Sequence, residues 1–220
     1  MTNLAYDLAH LLGGTALLLS FSLLYQRRLF AMLGAFALQA LIIAAAAAWQ
    51  AYMQDAPHLY ISAGIALVFK AIIIPVALKR IVVHLDIHRT VETALGIGPT
   101  MIAGVGLVAL SILLMLPVTV ASAMLVRETM ALALSIVLMG LLTMITRRNA
   151  VTQVIGFMSL ENGLILAAVG VEGMPLVVEM GIAFSVMVAF IVFGIFFFHI
   201  RERFDTLDIA YLESFRGERR

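Results

Sequence analysis

Runs of about twenty apolar residues, separated by short charged links, follow one another along almost the whole chain. A run of that length crosses a bilayer as an α-helix, and a helix satisfies its own backbone hydrogen bonds there. Bounded by charges or turn residues, the runs predict spans near 4–24, 30–52, 59–79, 100–122, 128–146, 151–171 and 176–200. The expected fold class is an all-α polytopic membrane protein with seven transmembrane helices. Composition agrees: 63% of the 220 residues are hydrophobic and 12% charged, so seven spans nearly exhaust the chain and leave no soluble domain.

The charges fix an expected orientation. Alternating the links between two sides puts Arg27, Arg28, Lys79, Arg80, Arg89, Arg147, Arg148, Arg201, Arg203, Arg216, Arg219 and Arg220 together and leaves only Arg127 opposite. The positive-inside rule then places the N-terminus outside and the C-terminus in the cytoplasm, and adding or deleting a span would scatter the arginines. The start, Met1-Thr2-Asn3-Leu4, lacks the positive region of a cleavable leader, so the first helix is expected to remain.

Several function classes drop out. A net charge of +1 offers no basic face to nucleic acid, and the absence of cysteine excludes disulfides, thiolate nucleophiles and thiolate-held iron–sulfur or zinc sites within the chain. His84 and His88 stand four apart, but no third metal ligand is evident nearby. His10, His58 and His199 fall near the membrane interfaces, where histidine needs no function. Gly104-Val105-Gly106 lies inside an apolar run, where small residues read as close helix contact rather than a dinucleotide loop; Ala44 to Ala48 read the same way. No nucleophile–base pair or phosphate loop appears, so neither catalytic residues nor a cofactor is expected.

Between spans three and four, link 80–98 carries Val83, Ile87, Val91, Ala94 and Leu95 on one helical arc, interrupted by His84. This suggests a short interfacial helix ended by Gly96-Ile97-Gly98-Pro99. In tail 201–220, Phe204, Leu207, Tyr211 and Phe215 recur at helical spacing, either as an aromatic face for a cytoplasmic partner or as a segment resting on headgroups.

The charges left inside the membrane carry the functional information. Lys70 lies near the middle of the third span and Glu161 in the middle of the sixth, beside Asn162, with Gln153 a further polar group there. A charge at that depth costs about 2.5–3.5 kcal/mol or more on insertion scales, so both side chains are expected to face protein or water. Lys70 is nine residues from Lys79, beyond snorkelling reach. Burial disfavours a carboxylate and a neighbouring lysine favours it, so Glu161 suits proton exchange; the competing role is polar glue between helices. Glu179, in the first turn of the last span, is either a point where protons enter or leave or an end cap. Pro75 and Pro117 each remove an amide donor inside a span, freeing the carbonyls of Ala71 and Leu113.

Arg147-Arg148-Asn149, then Gly156-Phe157-Met158-Ser159-Leu160-Glu161-Asn162-Gly163-Leu164, and the last helix running into His199-Ile200-Arg201 resemble the final part of hydrogenase-4 component E. The ending Arg203-Phe204-Asp205-Thr206-Leu207-Asp208 and the overall length resemble that family too. Helices from about 128 to 200 are similar to the K or 4L subunit of respiratory complex I and the C subunit of multisubunit cation/proton antiporters. The resemblance implies 1–127 as a four-helix addition, 128–200 as a K/4L-like region and 201–220 as a cytoplasmic tail.

It also implies a proton-path glutamate on each of the last two helices. Here Met158 follows Gly156-Phe157 and the acid comes one turn later as Glu161, on nearly the same face; the second position falls near Met187, with Glu179 two turns away. Lys70 is a candidate for the missing partner. The implied function is a non-catalytic subunit in the bacterial or archaeal inner membrane, contributing to a proton or ion path beside antiporter-like and quinone-chamber-like subunits, with a hydrogenase arm reached through 201–220. The rivals are a passive scaffold in the same complex and, from another class, a stand-alone solute transporter.

Overall fold

The computed structural model describes residues 2–84, 91, 94–118 and 124–170. The chain divides into two units, Met1–Ser185 and Val186–Arg220, and all the described residues belong to the first. Their long elements are helices: α1 (Thr2–Tyr25), α2 (Leu29–Met53), α3 (Pro57–Ile65), a π-helical segment (Ala66–Ile73), α4 (Ile74–His84), α5 (Ile97–Val118), α6 (Met124–Thr146) and α7 (Ala150–Val169). Six stretches among them are long and apolar enough to cross a membrane, beginning at Tyr6, Leu29, Pro57, Ile97, Val126 and Val151. They match the first six expected spans. The seventh, at 176–200 with Glu179, and the tail 201–220 lie outside the described residues, as do Ile87, His88 and Arg89.

Local chemistry sets the ends. Asn149 caps α7 by accepting from the Val151 amide at 2.9 Å, satisfying one of the donors a helix start leaves open. Pro57 opens α3, where its missing amide hydrogen costs nothing.

The core is built from small and branched side chains, among them Ala16, Ile43, Ala47, Ile136, Ile165 and Leu166. The closest helix pair is α6 with α7. A methyl group added at Gly163 would lie 2.7 Å from the Val137 amide nitrogen and 2.8 Å from the Ala133 carbonyl; one at Gly140 would lie 2.6 Å from the Leu160 Cα. Gly156 and Gly163 in α7 and Gly170 at its C-cap recur every seventh residue, and the two in α7 let its backbone approach that of α6. Of the Gly104–Gly106 pair, Gly104 plays the part expected of it and Gly106 does not. A methyl group at Gly104 would lie 3.0 Å from Met139 Sδ of α6 and 3.2 and 3.3 Å from Phe21 and Leu24 of α1, whereas Gly106 faces open space.

Three links meet at one end of the bundle. The Val91 amide donates to Arg27 O at 2.9 Å and the Ala94 amide to Thr146 O at 2.8 Å, so Val91 and Ala94 lie with links 26–28 and 147–149, bringing Arg27, Arg28, Arg147 and Arg148 to that end. Of the expected interfacial helix across 80–98, residues 85–90, 92 and 93 lie outside the described residues. Helix α4 continues the third span to His84, but Val91 is non-helical and buried, and Leu95 sits in a bend. Its amide bond to the Arg27 carbonyl draws Val91 into the loop cluster.

Candidate functional site

Between α3 and α4 the helix widens into π geometry for eight residues, with the Ile74 amide reaching back five residues to Phe69 O. Such segments are rare and often mark functional sites. Pro75 stands just after it; with no amide hydrogen, it cannot extend that five-residue ladder to the Lys70 carbonyl. Pro75 thus lies at the point where the register changes from π back to α. Lys70 and Ala66 are the buried residues of this segment.

Across the interior, α7 presents Glu161 and Asn162. The glycine contacts with α6 fix its height and rotation, which determines where these two side chains emerge. Lys70 Nζ lies 3.3 Å from Glu161 Oε2 and donates to Asn162 Oδ1 at 3.1 Å. Asn162 Nδ2 donates to Gln39 Oε1 at 3.2 Å. Gln39 Nε2 donates to Ser20 Oγ at 2.7 Å and to Ala16 O at 3.3 Å, and Ser20 Oγ donates to Ala16 O at 3.2 Å. One polar chain thus joins α7, the π segment, α2 and α1. Relative exposure is 1% at Lys70, 2% at Glu161, and 0% at Asn162 and Gln39, so neither charge touches the surroundings of the bundle.

Donor and acceptor bookkeeping gives the chain a direction. Asn162 and Gln39 each turn a carbonyl oxygen toward Lys70 and an amide group away from it, aligning their dipoles with the ammonium. Of the side chains in this polar chain, those of Lys70 and Glu161 are ionisable, whereas the carboxamides and the hydroxyl are not. Buried ions are tolerated only when paired and hydrogen-bonded, and the arrangement supplies both.

The structure brings together Lys70, Glu161 and Asn162 from the residues singled out in the sequence. Gln153 is elsewhere: it sits in the first turn of α7 and donates through Nε2 to Arg147 O at 2.9 Å, about two turns from Glu161. Gln39 and Ser20 were missed. Their signal is modest, an isolated uncharged polar residue in the middle or inner half of an apolar run.

Arg147 was missed in another way, as one more link cation. It is buried and donates through Nη2 to Leu23 O at 2.8 Å and Leu24 O at 2.7 Å. These are last-turn carbonyls of α1, where orphan acceptors and the helix dipole favour a cation. Burial lowers its pKa from the ordinary arginine value, yet a guanidinium stays protonated in proteins. At the opposite end His10 Nε2 lies 3.0 Å from Glu128 Oε2, both partly exposed, a surface pair of the kind worth about 0–1 kcal/mol.

Compared with known proteins, the chain is 29% identical to hydrogenase-4 component E of Escherichia coli over 188 residues, 84% of this chain and 86% of the relative. The same identity and coverage hold for hydrogenase-4 component E of Shigella flexneri. An uncharacterized protein of Mycobacterium tuberculosis is 29% identical over 167 residues, 74% of this chain and 76% of that one. No family model matches, and no solved structure matches. The chain thus bears a distant likeness to hydrogenase-4 component E along most of its length.

Proposed function

We propose that this chain is an integral membrane subunit of a hydrogenase-4-like oxidoreductase complex, and that Lys70 and Glu161 form a proton-exchanging station coupled to electron transfer in other subunits. The observation that carries the reading is the ion pair itself: a lysine and a glutamate 3.3 Å apart and fully buried in an apolar helix bundle. Intramembrane ionisable pairs of this kind are expensive, and ion and proton paths are among the uses that retain them. The distant likeness to hydrogenase-4 component E supports the complex.

The same reading includes a seventh span at 176–200, an outside N-terminus and a cytoplasmic C-terminus in a bacterial or archaeal inner membrane. The cationic loop end, with Arg27, Arg28, Arg147 and Arg148, would face the cytoplasm. It also includes the three-helix kinship of 128–200 with the complex I K-type subunit, Glu179 as a second acidic station, and antiporter-like and quinone-chamber-like neighbours. Proton work within the station falls to Glu161 and Lys70, which lie within contact distance, while Asn162 and Gln39 orient the ammonium.

A second reading, a passive scaffold in the same complex, is favoured by the four helices that this one polar chain ties together. Complex membership is tested by tagging the chain and purifying it from native membranes in mild detergent. Co-elution of a nickel–iron large subunit and antiporter-like membrane proteins is expected. Recovery of a lone, stable monomer holding a small solute would contradict the proposal and favour a transporter.

A further inference from the structure

The loop joining α2 to α3 lies at the bundle end away from the arginine links, because α2 runs from Leu29 beside Arg28 to Met53. There a cavity of about 370 Å³ is lined by Tyr52, Asp55, Pro57 and Tyr60 together with Ala51, Met53 and Ala56. Asp55 holds a left-handed backbone, φ 49°, which aspartate and asparagine tolerate better than most residues. The turn is fixed on both sides: the Gln54 amide donates to Gln50 O at 2.9 Å, the Ala56 amide donates to Ala51 O at 3.1 Å, and Gln54 Nε2 donates to Val169 O at 2.8 Å. Tyr52 is further held by Trp49, with ring centroids 5.6 Å apart.

Asp55 is exposed, and the ion pairs found among the described residues are Lys70–Glu161 and His10–Glu128. Its carboxylate thus has no ion-pair partner among the described residues, and it shares with Tyr52 and Tyr60 the lining of a recess at the C-terminal, negative end of α2. A carboxylate flanked by tyrosine faces recognises an ammonium group, by charge and by cation–π attraction. The recess also sits where membrane-spanning helices leave the hydrocarbon, the level at which tyrosine and tryptophan meet lipid headgroups. Further along the same helix from Tyr60, Ile61, Val68 and Ile72 are exposed and apolar, a surface suited to acyl chains and of no use to a small soluble amine.

We propose that this recess binds the ammonium headgroup of a zwitterionic phospholipid such as phosphatidylethanolamine, with Asp55 as counter-charge and Tyr52 and Tyr60 as flanking rings. The site is independent of the Lys70–Glu161 pair and rests only on the chain being embedded in a membrane. Phosphatidylglycerol, which lacks the ammonium, is discriminated against by the same carboxylate.

The test places the full-length chain in nanodiscs of phosphatidylglycerol and phosphatidylethanolamine in equal parts and measures, by native mass spectrometry, which lipid survives detachment of the belt. Wild type is expected to retain phosphatidylethanolamine preferentially. Asp55→Asn keeps the left-handed turn and removes the charge, so the preference falls about fivefold. Tyr60→Phe, which keeps the ring face, behaves as wild type, and Tyr60→Leu loses preference; far-UV circular dichroism confirms that each variant is helical. Equal retention of the two lipids by wild type, or the same preference in Asp55→Asn as in wild type, overturns the proposal. Complete displacement of the lipid by free ethanolamine would assign the recess to a soluble amine and overturn the lipid assignment.

Discussion

Replacing Lys70 and Glu161 singly and together by methionine removes one or both charges at nearly constant volume. At 3.3 Å and an effective dielectric near 20, the gross attraction between them is about 5 kcal/mol, most of which offsets the desolvation of two ions. Either single change leaves one buried charge without its partner, at a cost of about 3–5 kcal/mol. Lys70→Met also strands the Asn162 Oδ1 acceptor now held at 3.1 Å, and this part, about 1–3 kcal/mol, remains in the double variant. An apolar pair otherwise needs no compensation, so the double variant is expected to lose only about 1–3 kcal/mol. The coupling between the sites is then about 3 kcal/mol or more. The assay is unfolding of the full-length chain in mixed micelles by titration with dodecyl sulfate, followed by far-UV circular dichroism. Single costs that add to the double within about 0.5 kcal/mol would refute the argument, because independent sites behave in that way.

Two further outcomes use the same titration. Gly163→Ala should destabilise by about 1–3 kcal/mol, because its methyl would be driven into the backbone of α6; Gly106→Ala, facing open space, should be neutral or slightly stabilising. Arg147→Gln should cost about 2–4 kcal/mol through loss of two charge-assisted bonds to the end of α1. Amide exchange in the last turn of α1 should quicken with it, and Arg147→Lys should rescue it only in part, because an ammonium lacks the fork of the guanidinium.

Particular residues show where sequence reasoning reached and where it stopped. The six described spans were legible because apolar length and charge placement are one-dimensional properties. Lys70 and Glu161 stood out for the same reason: a formal charge in mid-span has few cheap placements. Their proximity was not legible, since it depends on the rotation of α7, set by Gly140, Gly156 and Gly163 against α6, and on the π register at Ala66–Ile73, which changes the face on which Lys70 emerges. The seven-residue glycine spacing is present in the sequence and readable as a packing face, as the close contact at Gly104 is. Arg147 looked like every other arginine beside a span because its partners, Leu23 O and Leu24 O, are backbone atoms more than a hundred residues away in the chain. The bond from the Val91 amide to Arg27 O is of the same kind: a helical arc in the sequence does not show which distant backbone a residue will meet.

The central claim is that Glu161, paired with Lys70, takes part in proton movement. It is tested most directly by introducing Glu161→Gln, confirming that the complex assembles, and measuring proton uptake coupled to electron transfer in sealed membrane vesicles. The account predicts intact electron transfer chemistry in the other subunits with proton movement sharply reduced, and a substantial part restored by Glu161→Asp. Undiminished proton uptake in an assembled Glu161→Gln complex would contradict it and leave the buried pair as a structural tie between helices.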